Sequence, residues 1–133
     1  MTEISISKYS LNIEREPLFR PFHFKGGFFT EKWLVITKLE TGAGLKATGV
    51  GGMAILWSDP DVFSAYSETG GNIVMAALAE QAAKLVNGRS FSNPIVLIES
   101  ILPELYAYGQ KVSGKKDLRT TFVLNSLIFK RNL

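Results

Sequence analysis

The apolar residues of this chain change period near residue 59, and that change decides the class of fold. Upstream the spacing is that of strands. Ile4 and Ile6 alternate with polar residues, and Tyr9, Leu11 and Ile13 then alternate in the opposite phase, a slip that implies a bulge or burial on both faces. A second strand is expected over 32–39, rich in β-branched and aromatic residues. Thr41-Gly42-Ala43-Gly44 signals a turn, and a third short strand follows from Leu45 to about Val50. Downstream the spacing is helical. Asp59-Pro60 pairs an N-cap residue with proline at the first helical position and predicts a short helix to Ser67. Between Asn72 and Val86, the residues Met75, Leu78, Ala79, Ala82, Leu85 and Val86 mark one helical face, with Gly88 as its C-terminal stop. Asn93-Pro94 repeats the start signal for a helix to about Leu102, where Pro103 disfavours continuation. Asp117 is the expected cap of a last helix, Leu118 to Arg131. The prediction is one α+β domain over residues 1–133: a three-stranded antiparallel β-meander followed by a helical bundle.

The last helix carries a second constraint. Phe122, Val123, Leu124, Leu127, Ile128 and Phe129 cover nearly every direction around its axis, and a helix apolar on all sides is normally buried on all sides. Two placements satisfy it. It is a central helix of a compact domain, or it meets a partner surface, in which case a twofold homodimer is the expected assembly.

Composition narrows the function. With no cysteine, disulfides, thiolate metal sites and cysteine nucleophiles are excluded. The net charge of +3 is spread along the chain, its densest groups being Lys115–Lys116–Arg119 and Lys130–Arg131, so no basic stripe for nucleic acid is visible. Apolar runs are interrupted too often by glycine and polar residues to span a bilayer, and Met1–Ile6 has no basic region leading into an apolar stretch. A cytoplasmic protein without nucleic-acid or membrane partners is expected.

Motifs for chemistry are weak. Gly49-Val50-Gly51-Gly52-Met53-Ala54 formally matches a dinucleotide fingerprint, but Ser58-Asp59-Pro60 interrupts before a long helix can open, and no acidic strand end follows. His23 is the only histidine, too few for a histidine-based metal site. The pairs Glu14/Glu16 and Asp59/Asp61 read as solvated strand end and helix cap. Two segments stand out, residues 20–29 and 49–58, read as loops rich in glycine and aromatic residues, where most loops are polar. They suit a lid over a small ligand, or they turn inward and seal the core.

At those segments the chain resembles a known family. The opening strand Ile4–Tyr9, the segment Pro21–Gly27, the strand Trp33–Leu39 with its turn at 41–44, the loop Gly49–Gly52 and the segment Thr121–Leu127 resemble, in order and spacing, the N-terminal domain of the mandelate racemase and muconate lactonizing enzyme branch of the enolase superfamily. The resemblance implies a domain that caps the open end of a (β/α)-barrel, with two loops closing over substrate. Carried over by position, it makes Phe22, His23, Phe24, Met53, Leu56 and Trp57 the substrate-contacting pocket wall. In the family the catalytic base and the magnesium-binding carboxylates lie on the barrel, which is expected to be absent from residues 1–133. The resemblance therefore implies no catalytic residue, no metal ligand and no cofactor in this chain, magnesium belonging to the barrel. It implies the capping domain of an isomerase, racemase, cycloisomerase or acid-sugar dehydratase, with the barrel domain as partner. A standalone binding or oligomeric interaction protein derived from that domain is the alternative.

Overall fold

The structure, a computed structural model, describes residues 3–24 and 26–127. Three strands open the chain: β1 (Ile4–Phe24), β2 (Gly27–Thr41) and β3 (Lys46–Gly52). They form an antiparallel meander, and the two-residue β4 (Ser90–Phe91) adds to the free side of β1, giving the order β3-β2-β1-β4. Three helical stretches and one short turn of helix cover one face: α1 (Ile55–Ser58), α2 (Pro60–Val86), α3 (Pro94–Ser113) and α4 (Thr120–Asn125).

The phase slip in β1 is a bulge. The register shifts between Ile6 and Lys8, which lets Ile6 point into the core while Tyr9, Leu11 and Ile13 pack against it from the opposite parity. On β2 the alternation is regular: Trp33, Val35, Thr37 and Leu39 face the helices and are buried. Against them lie Val74, Met75, Leu78, Ala82 and Val86 of α2, Leu97, Ile101 and Leu105 of α3, and Phe122, Val123 and Leu127 from the α4 region. Gly109 marks how closely α3 approaches: a Cβ there would stand 2.9 Å from Leu118 and 3.2 Å from Leu78.

The sequence expectations need four adjustments. The arm of the meander is longer than expected, because residues 22–24 and 27–29 pair as the end of the β1–β2 hairpin and do not form a loop; Gly26, at φ +76°, lies in the turn. Residues 49–58 likewise divide between β3 and α1. Pro103 lies inside α3, which runs on to Ser113: buried Ile101 and Leu105 on either side hold the helix to the core, while Pro103 itself is on the exposed side. The last helix begins at Thr120 without a side-chain cap, and Asp117 instead pairs with Lys115 at 3.6 Å. Its apolar residues turn inward, with Phe122, Val123 and Leu127 fully buried in the chain's own core; Ile128 and Phe129 lie outside the described residues.

The two helices expected on either side of Ser67 are present as α2 with a break. Ser67 has φ 68° and ψ 178°, a conformation that a residue with a Cβ adopts only at a cost of about 1–3 kcal/mol. The substitution Ser67→Gly is expected to raise unfolding stability by about 1 kcal/mol, after allowing for the greater entropy glycine loses on folding. Denaturant unfolding checks this; a loss of stability would show that the conformation is not strained.

Candidate functional site

The end of the hairpin forms one wall of a cleft. Cross-strand pairing of Phe22 with Phe29 and of Phe24 with Gly27 puts these positions on one face, while His23 and Phe28 pair on the other. The Phe22 and Phe29 rings pack at 5.2 Å between centroids. Gly27 lets the opposite wall come close, since a Cβ there would lie 3.2 Å from Leu56. That opposite wall is the segment from Met53 through α1 and the first turn of α2. Phe24 meets Trp57 across the gap at 5.0 Å, and Gly71 lets Ile55 pack tightly onto α2, a Cβ there standing 2.7 Å from Ile55 Cγ2. The cleft holds about 340 Å³ and is lined mainly by Phe22, Phe24, Phe29, Met53, Leu56, Trp57 and Phe63.

Three charged side chains and Asn72 also line it. Glu31 accepts hydrogen bonds from Arg15 (Nε, 3.0 Å) and from Trp33 Nε1 at 2.8 Å. The Arg15 and Trp33 hydrogen bonds hold the Glu31 carboxyl below its ordinary value of 4.5. Glu68 accepts from the backbone N–H of Thr30 and of Glu31 and from Thr30 Oγ1, at 2.7, 3.0 and 2.7 Å. Lys32 crosses Gly52, where a Cβ would stand 2.5 Å from Lys32 Cε, and donates to the Met53 carbonyl at 2.8 Å. Burial pushes its ammonium below the ordinary value of 10.5. Both carboxylates are thus occupied in holding structure, and the walls that remain for a ligand are aromatic and aliphatic.

Of the six positions singled out in the sequence, the cleft brings together Phe22, Phe24, Met53, Leu56 and Trp57. His23 is not among the lining residues; its ring lies against Phe28 at 5.5 Å on the other face of the hairpin. Sequence reasoning missed Phe29, Phe63, Glu31, Lys32, Glu68 and Asn72. Phe29 was accessible through hairpin pairing with Phe22, and Phe63 through its place one turn after the Asp59 cap. Glu68 and Lys32 carry no local signal, because their roles depend on what the fold lays beside them. The residues present do not fit a magnesium site. Among the described residues no group of three or more His, Asp or Glu side chains is placed to hold a metal ion, whereas magnesium needs an octahedral set of oxygen ligands. Nor, among the described residues, is any helix long and apolar enough to cross a membrane.

No protein-family model matches the chain, and no curated protein matches it. Solved structures do. A mandelate racemase/muconate lactonizing enzyme shares 17% identity at a TM-score of 0.53, over 96% of this chain and 29% of that one. The L-Ala-D/L-Glu epimerase from Bacillus subtilis shares 14% identity at a TM-score of 0.50, over 76% of this chain and 25% of that one. The chain therefore spans less than a third of the enzymes it matches. The likeness shows the fold: three antiparallel strands followed by helices, as in the part of each enzyme that the chain matches.

The lowered Glu31 carboxyl ties stability to pH. Its folded-state value lies below the unfolded one, so its contribution is fully present above the ordinary value of 4.5 and is lost as pH falls through the lowered value. Glu31→Gln is expected to flatten the stability profile between about pH 5 and pH 3 relative to the natural chain. Parallel profiles would contradict the Arg15–Glu31–Trp33 arrangement as its source.

Proposed function

We propose that this chain is the substrate-capping domain of a metal-dependent enolase-superfamily enzyme, one that abstracts a proton alpha to a carboxylate. The observation that carries the reading is the cleft itself. Its two walls come from the two segments that the family resemblance assigns to substrate closure, and they meet through Phe24 and Trp57. In this reading Phe22, Phe24, Met53, Leu56 and Trp57 shape the apolar end of a substrate pocket, His23 lies outside it on the other face of the hairpin, and base and magnesium come from a barrel domain. A pocket wall of this kind selects by shape and apolar contact.

The partner of the cleft is then a barrel domain. In the isolated chain a second copy takes its place as a homodimer, because Phe19, Phe28 and Trp57 leave large apolar surface in water at this end of the domain, Phe19 being 95% exposed. The alternative, a binding or interaction protein derived from the domain, uses the same cleft without a barrel.

Reading the adjacent genomic DNA separates the two. A downstream barrel sequence, in frame or frameshifted, is expected; unrelated sequence would favour the binding protein. The 133-residue chain is also expected to show no magnesium-dependent exchange of a substrate α-proton with deuterium, and reproducible exchange by pure protein would overturn the division of labour. Sedimentation across a wide concentration range should show a dimer that Phe19→Ser weakens, whereas a strict monomer at high micromolar concentration would refute self-association.

A further inference from the structure

The hairpin arm that forms half of the cleft is poorly supported by its own sheet. β3 pairs with β2 only between Leu34 and Glu40, so the arm lies beyond the third strand. Within the arm the β1–β2 ladder is itself interrupted. Pro17 pairs with Glu31 and Phe22 with Phe29, so Leu18, Phe19, Arg20 and Pro21 all stand opposite the single residue Thr30. Pro17 and Pro21 have no N–H to offer a ladder. A distal segment of residues 22–29 joined through such a bulge has no backbone reason to keep one angle to the body of the sheet.

Glu68 supplies what the ladder omits. One oxygen of its carboxylate accepts from both Thr30 N and Glu31 N, and the other accepts from Thr30 Oγ1. These are charge-assisted bonds to the residues opposite the bulge. Glu68 follows directly on Ser67, the one non-glycine residue with positive φ among the described residues, so the break in α2 and the bulge in β1 are bridged by a single side chain. The carboxylate also lines the cleft.

We propose that Glu68 is the positioning residue of the cleft: its carboxylate takes the place of the interrupted ladder opposite Thr30 and fixes the arm that carries Phe22, Phe24 and Phe29. The inference rests on the reading of the cleft as the ligand-contacting part of the domain. Glu68 then sets the width of the cleft, and with it the size of ligand the cleft accepts, without bonding the ligand itself.

The test compares amide hydrogen exchange and the Trp57 indole resonance in the natural chain, Glu68→Ala and Glu68→Gln. Glutamine retains an oxygen for the two amides and an NH2 group that donates to the Thr30 hydroxyl, so it preserves the geometry without the charge. In Glu68→Ala, exchange at Thr30, Glu31 and residues 22–29 is expected to rise about tenfold or more, the Trp57 resonance to shift, and the β2–β3 amides to stay as they were. Glu68→Gln should return both the exchange and the Trp57 resonance most of the way to the natural chain. Unchanged exchange at Thr30 and Glu31 in Glu68→Ala, or a glutamine variant no better than alanine, would overturn the proposal. Should Glu68→Ala fail to fold, Thr30→Ala removes only the bond to the hydroxyl; it is expected to raise exchange in 22–29 alone, and no change there would count against the role. None of these readouts needs a ligand or a barrel, so a failed capping assignment and a failed positioning role give different results.

Discussion

The arrangement of the helical half depends on one buried carboxylate. Asp59 accepts from the N–H groups of Asp61 and Val62, capping α2, and from the N–H of Arg119 at 3.1 Å, at the entrance to α4. Its neighbour Ser58 extends the junction: its carbonyl accepts from Thr121 Oγ1 and its hydroxyl from Asn125 Nδ2, each at 2.6 Å. A carboxylate without exposed surface is tolerable only when such donors replace its water. Here the replacement joins segments 60 residues apart, so α1, α2 and α4 are set by the same dipeptide. The Met53–Trp57 wall of the cleft stands on that junction, while the opposite wall projects from the sheet and depends on side chains for its angle.

This division explains which parts of the molecule were legible in sequence. The bulge at Ile6/Lys8 showed as a phase slip because one face of β1 is buried and the other is not. The Asp59-Pro60 and Asn93-Pro94 starts were legible because capping is local chemistry, and both caps are made as expected, by Asp59 to Asp61 and Val62 and by Asn93 to Val96. The hairpin arm was less legible. Its glycines and prolines read as loop signals, whereas the chain tolerates them in a strand that lacks a neighbour over much of its length. Pro103 misled for a related reason: a proline rule describes the isolated helix, and Ile101 and Leu105 outweigh it with tertiary burial.

The candidate site was legible as far as it is apolar. Five of the six positions carried over by the family resemblance line one cleft, because strand alternation places Phe22 and Phe24 on the face that meets α1. The same alternation sends His23 to the other side, which a loop reading could not anticipate. The polar supports stayed hidden. Glu68 binds residues 37 and 38 positions away, and Lys32 reaches Met53 only because Gly52 leaves room. Long-range hydrogen bonds of this kind leave no periodic trace.

The central claim is that the two segments close on each other within this chain alone, forming the cleft without help from another domain. Proton nuclear Overhauser contacts between the Phe24 and Trp57 rings, whose centroids lie 5.0 Å apart, test it directly. The account predicts cross-peaks between these ring protons, with dispersed Trp57 shifts, in the isolated chain in solution. Their absence, together with Trp57 shifts at random-coil positions in an otherwise folded domain, would contradict it.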